Sequence, residues 1–138
     1  MGFKRVSPDE AKALIDQDGY VYVDVRSLPE FEGGHPQGAY NVPLMHQGPE
    51  GMAPNPEFLS VMERAFAKDA RLVLGCRGGG RSQRAASLLE SAGYTNLVDQ
   101  RAGYEGGHGE PGWRPRGLPT STEAAADHTY EGLRARKA

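Results

Sequence analysis

Apolar residues recur along the chain in two rhythms, and the alternation between them predicts its elements. Residues 7–20, "SPDEAKALIDQDGY", carry helical spacing: Ser7 is placed as N-cap, Pro8 as the first helical residue, Glu10 as the capping-box partner and Gly19 near the stop. Residues 20–26, "YVYVDVR", are rich in β-branched and aromatic side chains and read as a buried strand ending near Asp24. Residues 27–56 hold most of the prolines and many glycines, which predicts a long irregular connection with one short strand at 39–42. In "NPEFLSVMERAFAKD", Asn55 and Pro56 take cap and first-turn positions, and Phe58, Val61, Met62 and Phe66 share a helical face suited to the core. "RLVLGC" is the next strand, "SQRAASLLESAGY" a helix stopping at Gly93, and "NLVD" a last short strand. No internal repeat is visible. Helical and strand-like segments in alternation predict an α/β domain whose mostly parallel sheet is covered by helices.

Composition narrows the function. A chain of 138 residues with 38% hydrophobic content suits one domain with a modest core. The net charge of −2, with the signs mixed, shows neither the basic stripe of a nucleic-acid binder nor a polybasic membrane anchor. No apolar stretch approaches the roughly 18 residues that a membrane span needs. "MGFKRVSPDE" lacks the apolar core of a signal peptide, and Val6 stands where a myristoylation signal wants Ser or Thr. The expectation is a soluble, cytoplasmic protein with no nucleic acid and no membrane among its partners. A single cysteine excludes an internal disulfide, a Cys-x-x-Cys redox pair and a thiolate-rich zinc site. What remains is a buried spectator or a reactive thiolate.

The context of Cys76 favours the second. It stands in "LVLGCRGGGRSQRAASLL", where a buried strand ends, with the next helix expected at Ser82. Open α/β sheets bind ligands at that edge. Gly78, Gly79 and Gly80 permit a tight arc in which successive N–H groups point inward as an anion nest, backed by the positive end of the helix. With Arg77 and Arg81 beside them, these groups favour thiolate over thiol and make the sulfur a nucleophile near neutral pH.

Several motifs in sequence order resemble the rhodanese family of sulfurtransferases over roughly residues 3–119. "DVRSLPEFEGGHPQGAYNVP" resembles its Asp-Val-Arg, Glu-Phe and Gly-His-x-x-Gly-Ala-x-Asn-x-Pro signature, and "GCRGGGRS" its active-site loop. "AASLLESAGYTNL" resembles the helix and strand that follow, and "GWRPRGLP" the closing segment. The segment 102–113 is longer than the family's Gly-Gly turn, and Pro36 replaces an aliphatic residue. The resemblance implies a three-layer α/β domain over residues 1–119 and a tail at 120–138 that is helical or mobile. It implies that Cys76 accepts a sulfane sulfur as a persulfide from a small anionic donor such as thiosulfate, for delivery to a thiol or protein acceptor. The amides of Arg77, Gly78, Gly79, Gly80, Arg81 and Ser82 would hold the sulfur anion, the two arginines would attract the donor, and no cofactor is called for.

Two other readings share this cradle. Cysteine-dependent phosphatases and arsenate reductases place one residue more between Cys and Arg than the "RGGG" that separates Cys76 from Arg81. The smaller ring suits a single sulfur better than a tetrahedral oxyanion. A catalytically silent binding module of the same fold commonly loses the cysteine that this chain keeps. Asp24 and Arg26, at the same sheet edge, are expected to form a structural ion pair that buttresses the loop. His35 is expected to hold the Gly-rich connection by hydrogen bonds. His46, His108 and His128 have no metal-ligand spacing, so no metal is predicted. Trp113 is expected to pack the end of the domain.

Overall fold

The computed structural model describes residues 2–136. Its elements run β1 (Lys4–Val6), α1 (Pro8–Gln17), β2 (Val21–Asp24), α2 (Leu28–Glu32), β3 (His35–Pro36) and β4 (Tyr40–Asn41). There follow β5 (Met45–Gly48), β6 (Gly51–Pro54), α3 (Phe58–Ala65), β7 (Arg71–Gly75), α4 (Gly80–Ser91) and β8 (Asn96–Gln100). The chain closes with β9 (Gly106–Gly107), β10 (Glu110–Pro111), β11 (Thr120–Ser121) and α5 (Tyr130–Arg134). The central sheet has the order β1-β8-β7-β2-β4, and every pairing in it is parallel.

Both faces of this sheet are covered, which makes three layers. Leu72 and Leu74 of β7 point with Val23 into a core built from Phe58, Val61 and Met62 of α3, Ala85, Ala86 and Leu89 of α4, and Tyr130 and Leu133 of α5. Val73, Tyr22 and Val98 point the other way, against Ala11 of α1, Phe31 and Trp113. Each fully buried Leu here stabilises the fold by about 2 kcal/mol. Trp113 is buried, donates its indole N–H to Pro119 O at 2.7 Å and meets Tyr22 edge to face.

Local signals account for the helix starts. Ser7 Oγ accepts from Glu10 N at 3.1 Å while Glu10 Oε1 accepts from Ser7 N at 2.8 Å, the reciprocal capping box expected for α1. Helix α3 begins later than Asn55. Glu57 is its N-cap, and Asn55 precedes it in a turn, accepting from Glu57 N at 3.0 Å and donating to Pro43 O and Tyr130 Oη. Phe58, Val61 and Met62 are buried as expected, while Phe66 falls just past the helix end.

The connection at 27–56 is more regular than its prolines suggest. It holds α2, the short strands β3 and β4, and a hairpin of β5 with β6. Pro29 lies in the first turn of α2, where its missing N–H costs nothing, so a residue that punctuates most segments here starts a helix. Strand β1 carries no signal in the sequence pattern, because three residues are too few to show a period; it is held by its ladder to β8. Residues 120–136 pack back on this body: β11 pairs antiparallel with β3, and Tyr130 and Leu133 enter the α3 and α4 core. Residues 137 and 138 of the expected tail lie outside the described residues. Among the described residues no helix is long and apolar enough to cross a membrane.

Candidate functional site

Cys76 follows the last residue of β7 at the carboxyl edge of the sheet and is buried, with 1% of its surface exposed. The residue before it must be glycine. A Cβ at Gly75 would lie 1.8 Å from the Tyr22 hydroxyl, because the buried Tyr22 ring packs directly over the bare backbone there. Beyond Cys76 the chain turns within three residues into α4, which starts at Gly80, earlier than the expected Ser82.

The three glycines are not equivalent. Only Gly79 has a positive φ, +106°, and it is the N-cap of α4; Gly80 is already helical and has open space around its Cα. The left-handed turn at Gly79 aims its N–H at Cys76 Sγ, 3.0 Å away. A Cβ there would sit 2.2 Å from Arg101 O. Helix α4 has no side-chain cap and no acidic residue in its first turn, so the positive end of its dipole faces the sulfur unopposed. Ser82, buried in that first turn, places its Oγ 3.5 Å from Sγ and 3.2 Å from Gly79 O.

The two arginines of the loop differ. Arg81 is tied in a two-bond ion pair to Glu30 of α2, Nη1 to Oε1 at 2.7 Å and Nη2 to Oε2 at 3.0 Å, rather than bonding loop carbonyls. Glu30 Oε1 also accepts from the N–H of Ser27 at 3.1 Å and its Oγ at 2.8 Å. Burial pushes the Glu30 carboxyl up, but the bonds from Arg81 and Ser27 outweigh it and hold the group at about 2. Arg77 is exposed and, among the described residues, makes no ion pair. Its positive field reaches Glu105, which lies below its usual range mainly because of its partner Arg114.

Asp24 and Arg26 form a buried ion pair, Nη2 to Oδ2 at 2.7 Å. Arg26 Nη2 also donates to Gly34 O at 2.6 Å, and its guanidinium lies 4.3 Å above the Tyr104 ring. The segment 102–113 forms the back of the loop. Tyr104 N donates to Cys76 O at 2.7 Å and Glu105 N to Arg77 O at 3.1 Å, with β9 and β10 as a short hairpin beyond them. His108 is exposed at the tip of that hairpin with φ +56°. His35 lies away from the thiol, bridging Phe31 O and Glu123 O at 2.8 Å each and stacking on Phe31.

Sequence reasoning passed over Glu30, Asp99 and Arg5. Asp99, the next-to-last residue of β8, is fully buried, and its Oδ2 accepts from Arg5 Nε of β1 at 2.8 Å. Burial pushes its carboxyl up, against the neighbouring Ser82 hydroxyl and Arg5. Glu30 was legible, since Ser27-Leu28-Pro29-Glu30 repeats the Ser-x-x-Glu pattern of α1. Asp99 and Arg5 carry no local signal. A surface groove of about 930 Å³ is lined by Leu28, His46, Glu57, Tyr130 and Arg134 and does not include Cys76. No group of three or more metal-ligating side chains occurs among the described residues.

A buried thiol at the carboxyl edge of an all-parallel sheet, bonded to the N-cap amide of the next helix, defines the class: an α/β domain with a cysteine-bearing loop at its sheet edge. The chain belongs to the rhodanese-like domain family, whose model matches residues 7–110. It is 41% identical over 102 residues to thiosulfate sulfurtransferase 16 of Arabidopsis thaliana, covering 74% of this chain and 80% of that protein. Thiosulfate sulfurtransferase 18 of the same plant is 33% identical, with 86% of this chain and 83% of that one covered. The chain spans about half the length of other curated relatives it matches. Among solved structures, Rv0390 from M. tuberculosis superposes with a TM-score of 0.75 at 27% identity, over 89% of this chain and all of that one. These likenesses agree with the family match, and two of the relatives are named thiosulfate sulfurtransferases.

Proposed function

We propose that the protein is a thiosulfate sulfurtransferase that carries sulfur on Cys76. The thiolate attacks the outer sulfur of thiosulfate, the S–S bond of the donor breaks, and sulfite leaves with its electron pair. The Cys76 persulfide then gives its outer sulfur to cyanide or to a thiol, on a small molecule or a protein, and the thiolate returns. No side chain has to move a proton in this cycle. The protein's contribution is electrostatic: amides fixed in advance stabilise sulfur anions before and after transfer.

The observation that carries this reading is the Gly79 N–H on Cys76 Sγ, 3.0 Å, at the mouth of a helix that no side chain caps. Two relatives named thiosulfate sulfurtransferase support the choice of donor. Arg77 supports it too, as an exposed cation beside the loop, whereas Arg81 is neutralised by Glu30. The test is intact-mass measurement after brief thiosulfate treatment. The expected result is one added sulfur on Cys76, removed by cyanide with release of thiocyanate. No adduct on the folded protein, or the same adduct on Cys76→Ser, would overturn the reading.

A further inference from the structure

Among the described residues, every arginine brings its side chain to an oxygen atom except two, Arg77 and Arg84. Most of the others pair with carboxylates, while Arg64, Arg71 and Arg136 take backbone carbonyls. The two exceptions are exposed and flank the sulfur loop in sequence: Arg77 follows Cys76 directly, and Arg84 stands one turn beyond Gly80 on α4. The only polar-atom contact of the Arg84 side chain is neutral, Nη1 to Met45 Sδ at 3.9 Å. In a chain of net charge −2, the cations left without an anion are therefore those beside the nucleophile.

Arg84 belongs to a face of the helix. Gly80, Arg84 and Leu88 are spaced four residues apart, so they share one side of α4, each about 6 Å further along its axis than the last. Gly80 opens that face at the mouth of the loop: it and Arg77 are the exposed residues of 76–80, and nothing stands close to its Cα. Leu88 closes it, with 50% of its surface exposed, the most of any large apolar side chain among the described residues. Gln83, Arg84, Ser87, Leu88 and Ser91 line a shallow groove of about 490 Å³, and α4 carries no acid before Glu90. A lone exposed leucine is ordinary. Here it stands in register with an unpaired cation and with the open end of the loop.

We propose that this face of α4 docks the sulfur acceptor, an acidic segment of a partner protein whose thiol enters over Gly80, whose carboxylate pairs with Arg84 and whose apolar side chain covers Leu88. An extended segment rises about 3.3 Å per residue, which places the acid about two residues from the cysteine and the apolar residue about four, as in Cys-x-Glu-x-Leu or its reverse. Charge complementarity selects this occupant, and a nucleic acid would leave Leu88 uncovered. In the transfer itself the partner's thiolate attacks the outer sulfur of the Cys76 persulfide. A new S–S bond forms on the partner, the bond to Cys76 Sγ breaks, and its electron pair returns to Cys76 as thiolate.

The docking rests on Cys76 being the sulfur carrier. Its test uses acetylated Cys-Gly-x-Gly-Leu peptides, with Glu, Gln or Lys at the centre, as acceptors from the thiosulfate-loaded protein, and follows transfer by mass. In wild type the Glu peptide should exceed the Gln peptide about fivefold in kcat/KM at low ionic strength. Arg84→Gln should bring that ratio below about twofold and leave loading by thiosulfate within about twofold of wild type, and Arg84→Glu should make the Lys peptide the fastest of the three. Leu88→Ser should slow the Leu-ended peptide about threefold and leave its Gly-ended counterpart unchanged. Both positions are exposed, and a melting curve for each variant checks that the fold is kept. A Glu-to-Gln ratio that survives Arg84→Gln, or no preference for the Glu peptide in wild type, would overturn the docking. So would a dimer in solution that Leu88→Ser abolishes, because the face would then serve a second copy of the chain. If thiosulfate leaves no sulfur on Cys76, the sulfur-carrier reading falls separately, and the docking is judged on Cys76→Ser protein by backbone amide shifts. Those of residues 80–88 should move with the Glu peptide and stay still once Arg84→Gln is added; no movement in Cys76→Ser, or the same movement in both, overturns it.

Discussion

At the start of α1, Ser7 caps the first turn with its hydroxyl, Glu10 reaches back to close the box, and Asp9 adds negative charge where the dipole is positive. At the start of α4, a left-handed glycine takes the cap position, the helix has no side-chain cap, and its first turn contains no acidic residue. The physics of the two ends is the same: orphan amides and a partial positive charge. In α1 the chain satisfies them itself. In α4 no side chain caps them, the N-cap amide of Gly79 meets the sulfur of Cys76, and an anion is the ligand such an end stabilises. A helix start stripped of its own caps beside a nucleophile is thus a functional statement, and its stability cost is offset elsewhere, in part by the Glu30–Arg81 pair that ties α2 to α4.

The contrast breaks most severely at Gly79. Gly79→Ala puts a Cβ at φ +106° and 2.2 Å from Arg101 O, so the N–H that meets Sγ must move. Sulfur transfer from thiosulfate should fall by more than about a hundredfold in kcat/KM, with the melting temperature lowered by several degrees. Retained activity would show that the left-handed turn does not aim the amide.

Gly80→Asp makes the start of α4 resemble that of α1. An acid at the first helical position, in the open space beside Gly80, favours the helix but repels a dianion. Kinetics should show kcat/KM down by about thirtyfold, less in high salt, while calorimetry shows melting unchanged or raised. Equal activity at low ionic strength would mean that the free helix end is irrelevant to the donor.

Arg77→Ala sharpens the account of the donor's charge. The expected change is a five- to tenfold rise in KM for thiosulfate, on the order of 1 kcal/mol, which shrinks as salt screens the site. An unchanged KM at low salt would remove Arg77 from donor recruitment.

The smallest effects separate the two Ser-x-x-Glu boxes. Glu30 is held at about 2 in the fold against an ordinary 4.5, so its ionised form stabilises the native state. That contribution is complete above 4.5 and disappears as pH falls toward 2. Glu30→Gln should melt about 3 °C below wild type at neutral pH, and the difference should close over that acid window. Ser7→Ala, on a box that touches no part of the loop, should cost about 1 kcal/mol and leave thiosulfate turnover within about twofold of wild type. A pH-independent deficit in Glu30→Gln, or lost turnover in Ser7→Ala, would erase the distinction between the boxes.

Much of this was legible without coordinates, for a local reason. Helix α1, β2, β7 and α4 were set by periodicity and capping, which involve residues a few positions apart. The cradle showed itself because a strand, a cysteine, three glycines and a helix are consecutive in "LVLGCRGGGRSQRAASLL". Within that cradle the sequence could not tell one glycine from another. Gly79 alone turns left-handed because Gly80 has already joined α4 and Arg101 O closes the space at Gly79.

What tertiary structure alone decided is which distant groups meet the loop. Glu30 reaches Arg81 across 51 positions, and Arg5 reaches Asp99 across 94. Both pairings exist because the parallel sheet brings β1, β8, β7 and β2 side by side and packs α2 near the start of α4. A salt bridge has no period and leaves no spacing in the chain. The sequence by itself determined the main helices and strands and the candidate nucleophile; the tertiary structure determined that Arg81 is paired with Glu30 and that the buried carboxylate of Asp99 is paired with Arg5. Local bonds follow from neighbours in sequence, whereas the charge around a site follows from neighbours in space.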